Sequence, residues 1–119
     1  MALHKLPESE LKVMDFIWSQ GETTAKATAA YMLEAFGWKK NTTYTVLKNL
    51  GIKGFIERID PGFKCVPLVS RENVGRAESR TLLDKFYHGS VSGLFSAFLD
   101  DNVISEQEMK EIRELLDKY

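Results

Sequence analysis

The segment from Trp38 to Leu50 holds the side chains of this sequence that are best suited to binding chemistry. No acidic residue occurs between Glu34 and Glu57. Four lysines lie in the same interval, namely Lys39, Lys40, Lys48 and Lys53. Amines on a surface without carboxylates attract phosphate groups, and no bond is made or broken when they bind. The segment therefore predicts reversible binding of a polyanion.

The same segment has the apolar spacing of a helix. Its i, i+3, i+4, i+7 positions predict one buried face, made by Thr43, Val46, Leu47 and Leu50. The side chains outside that face form hydrogen bonds, and they are Asn41, Thr42, Tyr44, Thr45 and Lys48. Such a helix fits the major groove of DNA, where base edges present donors, acceptors and methyl groups. A solvated amphipathic helix that lacks acidic residues is the alternative interpretation.

Three further elements surround this helix and would position it. A first helix is expected to begin after Pro7 and to end at Gly21, and a second to run from the N-cap Thr24 to Gly37. Two β-prone runs then flank Asp60-Pro61-Gly62 and predict a hairpin. The order helix, helix, helix, hairpin is typical of a winged helix-turn-helix, in which the third helix enters the major groove.

The hairpin carries two cations beside its turn. Arg58 precedes the turn and Lys64 follows it, so both could reach the DNA backbone from a wing. Two solvated charges on an ordinary hairpin are the alternative. The sequence does not separate these interpretations.

The chain after Val69 predicts three more helices, of which the last begins at a capping box formed by Ser105 and Glu108. Three short helices cannot bury this much apolar surface on their own, and a second copy of the chain is the commonest partner. The side chains expected at the dimer interface are Leu82, Leu83, Phe86, Leu94, Phe95, Phe98, Ile112 and Leu116. A monomer in which these helices fold back on the first part is the alternative.

The distribution of charge supports two functional parts. Residues 1–69 hold nine basic and seven acidic residues, a net charge of +2, and residues 70–119 hold seven and ten, a net charge of −3. We therefore expect a DNA-binding domain over 1–69 and a helical dimerisation domain over 70–119. The overall charge of −1 argues against a protein that coats nucleic acid without selectivity.

Composition excludes several other classes of protein. No nucleophile elbow or glycine-rich phosphate loop is present, so we expect no enzymatic activity and no cofactor. Cys65 is the only cysteine and, with His4 and His88, it makes no recognisable metal-binding pattern. No apolar run is long enough to span a bilayer, and no signal pattern opens the chain. A cytoplasmic protein without membrane insertion is expected.

The chain resembles the BlaI/MecI/CopY-type, or penicillinase-repressor, family over nearly its whole length. The resemblance rests on Leu6 to Met14 with Ile17-Trp18, and on Trp38 to Ile56. It also includes Phe86 to Ser90, Ala97 to Leu99 and Ile104 to Glu108 in the second part. What it implies is a mainly α fold, with a winged helix-turn-helix followed by a three-helix dimerisation element. It further implies a homodimer that binds a palindromic operator in double-stranded DNA and represses transcription.

The resemblance also bears on control of the repressor. Antibiotic-resistance members of the family are cleaved by a regulatory protease, usually at an Asn-Phe bond, and the aligned bond here is Ala97-Phe98. Copper-responsive members carry a cysteine-rich metal site, whereas this chain ends Leu115 to Tyr119 without cysteine. The inducing signal stays open. The competing function is a winged-helix module that binds protein and not DNA.

Overall fold

Residues 6–119 are described by the structure, a computed structural model, and His4 lies outside them. Six helices and three short strands occur in this range, which confirms the mainly α fold with a small antiparallel sheet. The bounds are α1 Glu8–Gln20, β1 Thr23–Thr24, α2 Ala25–Phe36, α3 Lys40–Ile52, β2 Ile56–Ile59, β3 Lys64–Pro67, α4 Arg71–Tyr87, α5 Val91–Asp100 and α6 Glu106–Asp117.

The helices begin and end at the residues whose chemistry suits those positions. Thr24, Ser90 and Ser105 each accept a hydrogen bond from the backbone N–H three residues later, at 3.0–3.1 Å. The side chain of Glu108 completes the capping box at the start of α6. Gly37 ends α2 in the left-handed conformation, with φ at +71°.

The hydrophobic core lies among α1, α2, α3 and the hairpin. The expected buried face of α3 is present, because its four positions from Thr43 to Leu50 are all buried. Small side chains of α2 face the core, and Leu33 and Phe36 are 60% and 44% exposed. The most deeply buried large side chains are Val13, Met14, Ile17, Met32, Leu47, Leu50, Phe55 and Cys65.

The sheet has the strand order β1-β3-β2, and both pairings are antiparallel. Ile59 lies opposite Lys64 in the hairpin, which forms the wing. The pairing of β1 with β3 was not predicted, and it joins the wing to the residues that open α2. The backbone N–H of Ala25 also donates to the carbonyl oxygen of Phe63 at 2.9 Å. The wing is therefore anchored to the residues that open α2 by the start of β3 and by its turn.

The chain divides into two compact units after Glu78. The first turns of α4 belong to the first unit, where Val74 is buried and the Trp18 indole donates to the carbonyl of Val69 at 2.9 Å. The functional boundary expected between residues 69 and 70 stays a prediction. In the second unit, residues 79–119, every residue keeps part of its surface exposed. None of the helices within residues 6–119 has the length and apolarity to cross a bilayer.

Candidate nucleic-acid interface

The outer surface of α3 is the centre of the candidate interface. Asn41, Thr42, Thr45 and Lys48 are all exposed, on the side of the helix away from its buried face. Asn41, Thr45 and Lys48 form one row because they are spaced by four and three residues. The Thr45 hydroxyl donates to the carbonyl of Asn41 at 2.9 Å and keeps its capacity to accept. These groups can meet both donors and acceptors on a base edge.

Two lysines open α3. Lys39 is the N-cap residue, with no side-chain hydrogen bond to the helix, and Lys40 is the first helical residue. Both are exposed, and the first turn contains no acidic residue. The free backbone N–H groups and the positive end of the helix dipole add to the charge of the two amines. This end of α3 is suited to phosphate groups.

Tyr44 occupies a different environment from the rest of the predicted set. Its ring is half-buried and lies 5.8 Å from the ring of Phe63 in the wing, centroid to centroid. The amine of Lys40 lies 5.5 Å from the centroid of the same tyrosine ring. Tyr44 thus lies at the edge of the outer surface, where α3 meets the wing. Only part of its side chain is available to a base.

Lys53, expected at a phosphate, is bound inside the first unit. Its Nζ lies 2.8 and 3.1 Å from the two carboxylate oxygens of Glu10 in α1. The carboxylate is buried, and 27% of the lysine side chain remains exposed. The pair neutralises the amine and links the end of α3 to α1. A phosphate contact by Lys53 stays a prediction, and it would have to compete with this ion pair.

Both predicted wing cations have acidic partners. Arg58 Nε lies 3.2 Å from each carboxylate oxygen of Asp60, and Lys64 Nζ lies 3.3 Å from Glu22. All four side chains are about half exposed, so these pairs are weak and exchange readily with solvent ions. The geometry leaves both cations close to the wing surface. Their contact with DNA remains a prediction.

One polar residue of the outer surface was absent from the predicted set. Asn49 is exposed and follows Thr45 by four residues, so its amide extends the same surface toward the end of α3. Ile52, one turn later, is 75% exposed and gives this end an apolar contact group. The signal for Asn49 was present in the sequence, because the residue lies outside the predicted buried stripe.

The second unit exposes the side chains expected at a dimer interface. Leu82, Phe86, Phe95 and Leu116 are 41%, 65%, 37% and 66% exposed. The other expected residues are half-buried, and they are Leu83, Leu94, Phe98 and Ile112. The proposed cleavage bond lies within α5, where Ala97 and Phe98 are both half-buried. Large apolar groups exposed together are a feature of association surfaces.

Titratable groups elsewhere give little sign of other chemistry. Within residues 6–119, no cluster of three His, Cys, Asp or Glu side chains could hold a metal ion. Burial raises the pKa of the Cys65 thiol from 9.0 to about 11, although the nearby Arg58 charge acts in the opposite direction. Since the thiolate is the reactive form, this cysteine is chemically quiet near neutral pH.

The fold and the outer surface of α3 define a winged helix-turn-helix protein. Residues 6–118 match the family described as the penicillinase repressor. The chain therefore belongs to the penicillinase repressor family, a family of transcriptional repressors, and the predicted resemblance is confirmed.

Two relatives illustrate the range of similarity. The penicillinase repressor of Bacillus licheniformis is 23% identical over 117 residues, which cover 97% of this chain and 91% of the relative. The methicillin resistance regulatory protein MecI of Mammaliicoccus sciuri is 26% identical over 117 residues, or 97% and 95% of the two chains. The similarity thus includes both units of the chain.

Proposed function

We propose that this protein is a homodimeric repressor that binds a palindromic operator in double-stranded DNA through α3. The observation that carries the proposal is the exposed row Asn41, Thr45 and Lys48 on a helix without any acidic residue. Polar side chains in such a row can read donors and acceptors in the major groove. Lys39 and Lys40 would contact phosphates at the start of the helix. An operator target also favours the cytoplasm as the place of action.

Dimerisation by residues 79–119 is the second component of the proposal. The unit exposes large apolar side chains on all three of its helices, including Phe86 on α4, Phe95 on α5 and Leu116 on α6. Covering them with a second copy would stabilise both copies. A two-fold dimer would present its recognition helices to inverted half-sites, about 34–36 Å or a multiple of that distance apart. This geometry explains why the operator is expected to be palindromic.

Proteolytic control is the third component. A cut between Ala97 and Phe98 would divide α5 and separate α6 from the rest of the chain. Both residues are half-buried, so a protease would need this helix to open locally before it could bind the bond. The partner proposed here is a regulatory protease, and the weakened dimer would release its operator.

Protein binding is the second candidate function, and the exposure of Leu33, Phe36 and Ile52 in the first unit favours it. Apolar groups of this kind anchor protein partners better than they anchor phosphate. Selection of bound fragments from genomic DNA with the purified full chain separates the two functions. Enrichment of a common palindrome supports the operator, whereas recovery of no DNA above background supports the protein-binding module.

The selected operator then allows the roles of single side chains to be measured. We expect Lys48→Ala to cost roughly 1–3 kcal/mol and to relax specificity at one base pair. Lys40→Ala should instead weaken binding to all sequences and reduce the salt slope by about one. Gel-shift titrations at several salt concentrations distinguish these outcomes. Lys110→Ala on α6 is the control, since it removes an exposed lysine far along the chain from α3.

An unchanged affinity in the Lys48 and Lys40 variants would contradict the assignment of α3 as the recognition helix. A loss of equal size in the Lys110 control would show that net charge alone governs binding. Either result would also favour the search for a protein partner.

A further inference from the structure

Phe63 has an unusual backbone conformation at the turn of the wing. Its φ angle is +47°, and the preceding Gly62 has φ at +91°. A bulky residue with positive φ is uncommon, and it persists only where its surroundings fix it. Here the backbone N–H of Phe63 donates to Asp60 at 3.3 Å, and its carbonyl accepts from Ala25 at 2.9 Å. The wing turn and the start of α2 therefore hold this residue in place.

The ring of Phe63 lies between the recognition helix and the wing cation. Its centroid is 5.8 Å from that of Tyr44, with the two planes inclined at 52°. The guanidinium carbon of Arg58 lies 3.8 Å from the centroid of Phe63, which is a close cation–π contact. One aromatic side chain thus contacts a residue of α3 and the cation of β2.

Arg58 is oriented by two neighbours at once. Its guanidinium lies over the ring of Phe63, and Asp60 accepts from its Nε at 3.2 Å. The side chain nevertheless keeps 56% of its surface exposed. A planar guanidinium that lies over an aromatic ring loses less freedom than an unsupported one when it binds a phosphate through its remaining donors.

We propose that Phe63 is a positioning residue of the DNA interface, which holds the wing cation Arg58 in register with the recognition helix through Tyr44. The inference rests on the proposed function, since it assigns Arg58 to a backbone phosphate. In this arrangement α3 and the wing meet DNA as one rigid surface.

The test removes the aromatic ring while it keeps the apolar bulk. Phe63→Leu and Phe63→Met are made in parallel, so that one folded variant is sufficient, and Phe63→Tyr is the conservative control. Arg58→Gln and the double variant Phe63→Leu/Arg58→Gln complete a cycle. Operator affinity is measured in each over a range of salt concentrations, and circular dichroism and thermal melting report on the fold.

We expect the folded Leu or Met variant to behave like Arg58→Gln. Its salt slope should fall by about 0.9, the value for one phosphate contact, and its affinity should fall roughly tenfold at 0.1 M salt. The double variant should bind no more weakly than Arg58→Gln alone. Phe63→Tyr should keep the wild-type slope, because a tyrosine ring supports a guanidinium equally well.

Three results would overturn the inference. A folded Leu variant that keeps the wild-type slope would show that Phe63 does not position Arg58. Losses that multiply in the double variant would show that the two residues act separately. A salt slope lower in Phe63→Tyr than in the wild-type chain would also count against the role of the ring.

Failure of the proposed function gives a different pattern. If the unaltered chain recovers no genomic DNA above background, the proposed DNA binding is wrong, and Arg58 then has no DNA phosphate to contact. The contact itself is then measured without DNA, from the ring-current shift of the Arg58 Nε–H in the NMR spectrum. That shift should be present in the wild-type chain and lost in Phe63→Leu. Its absence from the wild-type spectrum would remove the structural basis of the inference.

Discussion

Glu10 and Lys53 form an ion pair that gives a predicted DNA-binding lysine a partner inside the first unit. Glu10 is a buried residue of α1, with 9% of its side chain exposed. Both of its carboxylate oxygens are within 3.1 Å of the lysine amine. Forty-three positions separate the two residues in sequence. No local pattern therefore relates them, and the sequence alone predicted Lys53 at a phosphate without this partner.

Removing the carboxylate should destabilise the first unit. We expect Glu10→Gln to lower the free energy of unfolding by about 2 kcal/mol, less than the roughly 3–5 kcal/mol of a fully buried pair, because Lys53 keeps partial access to water. Urea unfolding at fixed protein concentration measures the change. Asp84→Asn is the matched control, since it breaks the exposed pair with Arg80 and should cost at most about 0.5 kcal/mol.

The double variant Glu10→Met/Lys53→Met separates stability from DNA contact. Two apolar side chains of similar length should recover most of the lost stability. If operator binding keeps its salt slope in this variant, Lys53 makes no phosphate contact. A single Glu10→Gln variant as stable as Asp84→Asn would contradict the structural role of the pair.

At the scale of elements, the two lysines at the beginning of α3 add positive charge and reduce the stability of the helix. Lys39 at the N-cap and Lys40 in the first turn both oppose the positive end of the helix dipole, and no side chain caps the helix. We expect Lys39→Asp to raise the free energy of unfolding by roughly 0.5–1 kcal/mol and to weaken operator binding strongly. Thermal or urea unfolding and gel-shift titration of the same preparations measure both effects.

Lys39→Ser is the control that separates helix capping from charge, because serine caps the helix without adding a negative charge. It should gain most of the stability and lose less affinity than the aspartate variant. Unchanged affinity in both variants would remove Lys39 from the phosphate contacts. Reduced stability in both would show that the start of α3 is held by its packing and not by its cap.

The elements differ in how far the sequence predicts them. Caps and periodic stripes are local, so the starts at Thr24 and Ser105 and the buried face of α3 are predicted correctly. β1 has only two residues and forms by pairing with a strand some forty residues later, so no local signal marks it. The exposure of Leu33 and Phe36 is decided by tertiary packing, because the small residues of α2 face the core.

In the candidate site, too, the sequence predicts the features that have a local signal and not those that depend on tertiary packing. The exposed row on α3 could be predicted, because it is the complement of a local stripe. The acidic partners of Lys64 and Lys53 could not, because Glu22 and Glu10 reach them across the fold. The contact of Tyr44 with Phe63 likewise depends on how the wing turn lies against α3.

At the scale of the whole molecule, the second unit should determine association. We expect the full chain to be a dimer at tens of micromolar (an order-of-magnitude concentration) and a chain ending at Ala97 to be largely monomeric. The truncation removes Phe98 and α6, and each large apolar side chain lost from an interface forfeits up to roughly 1.5–3 kcal/mol. Sedimentation equilibrium measures the association, and gel-shift titration should show much weaker operator binding by the short chain.

A chain ending at Asp117 is the control for the truncation, because it lacks only the two residues after α6. It should associate and bind DNA like the full chain. If the chain ending at Ala97 also did so, cleavage in α5 could not be the switch. Induction would then have to act on the winged helix.

The lack of any buried residue over 79–119 has a consequence for gene dosage. If this unit gains its core by pairing, as proposed, the amount of active repressor would rise with the square of monomer abundance when the protein is scarce. Operator occupancy would then change steeply with small differences in copy number, such as those at cell division or after a halt in synthesis. Halving the monomer would then lower the amount of dimer about fourfold, so genes under its operator would respond to its abundance more steeply than genes under a monomeric regulator.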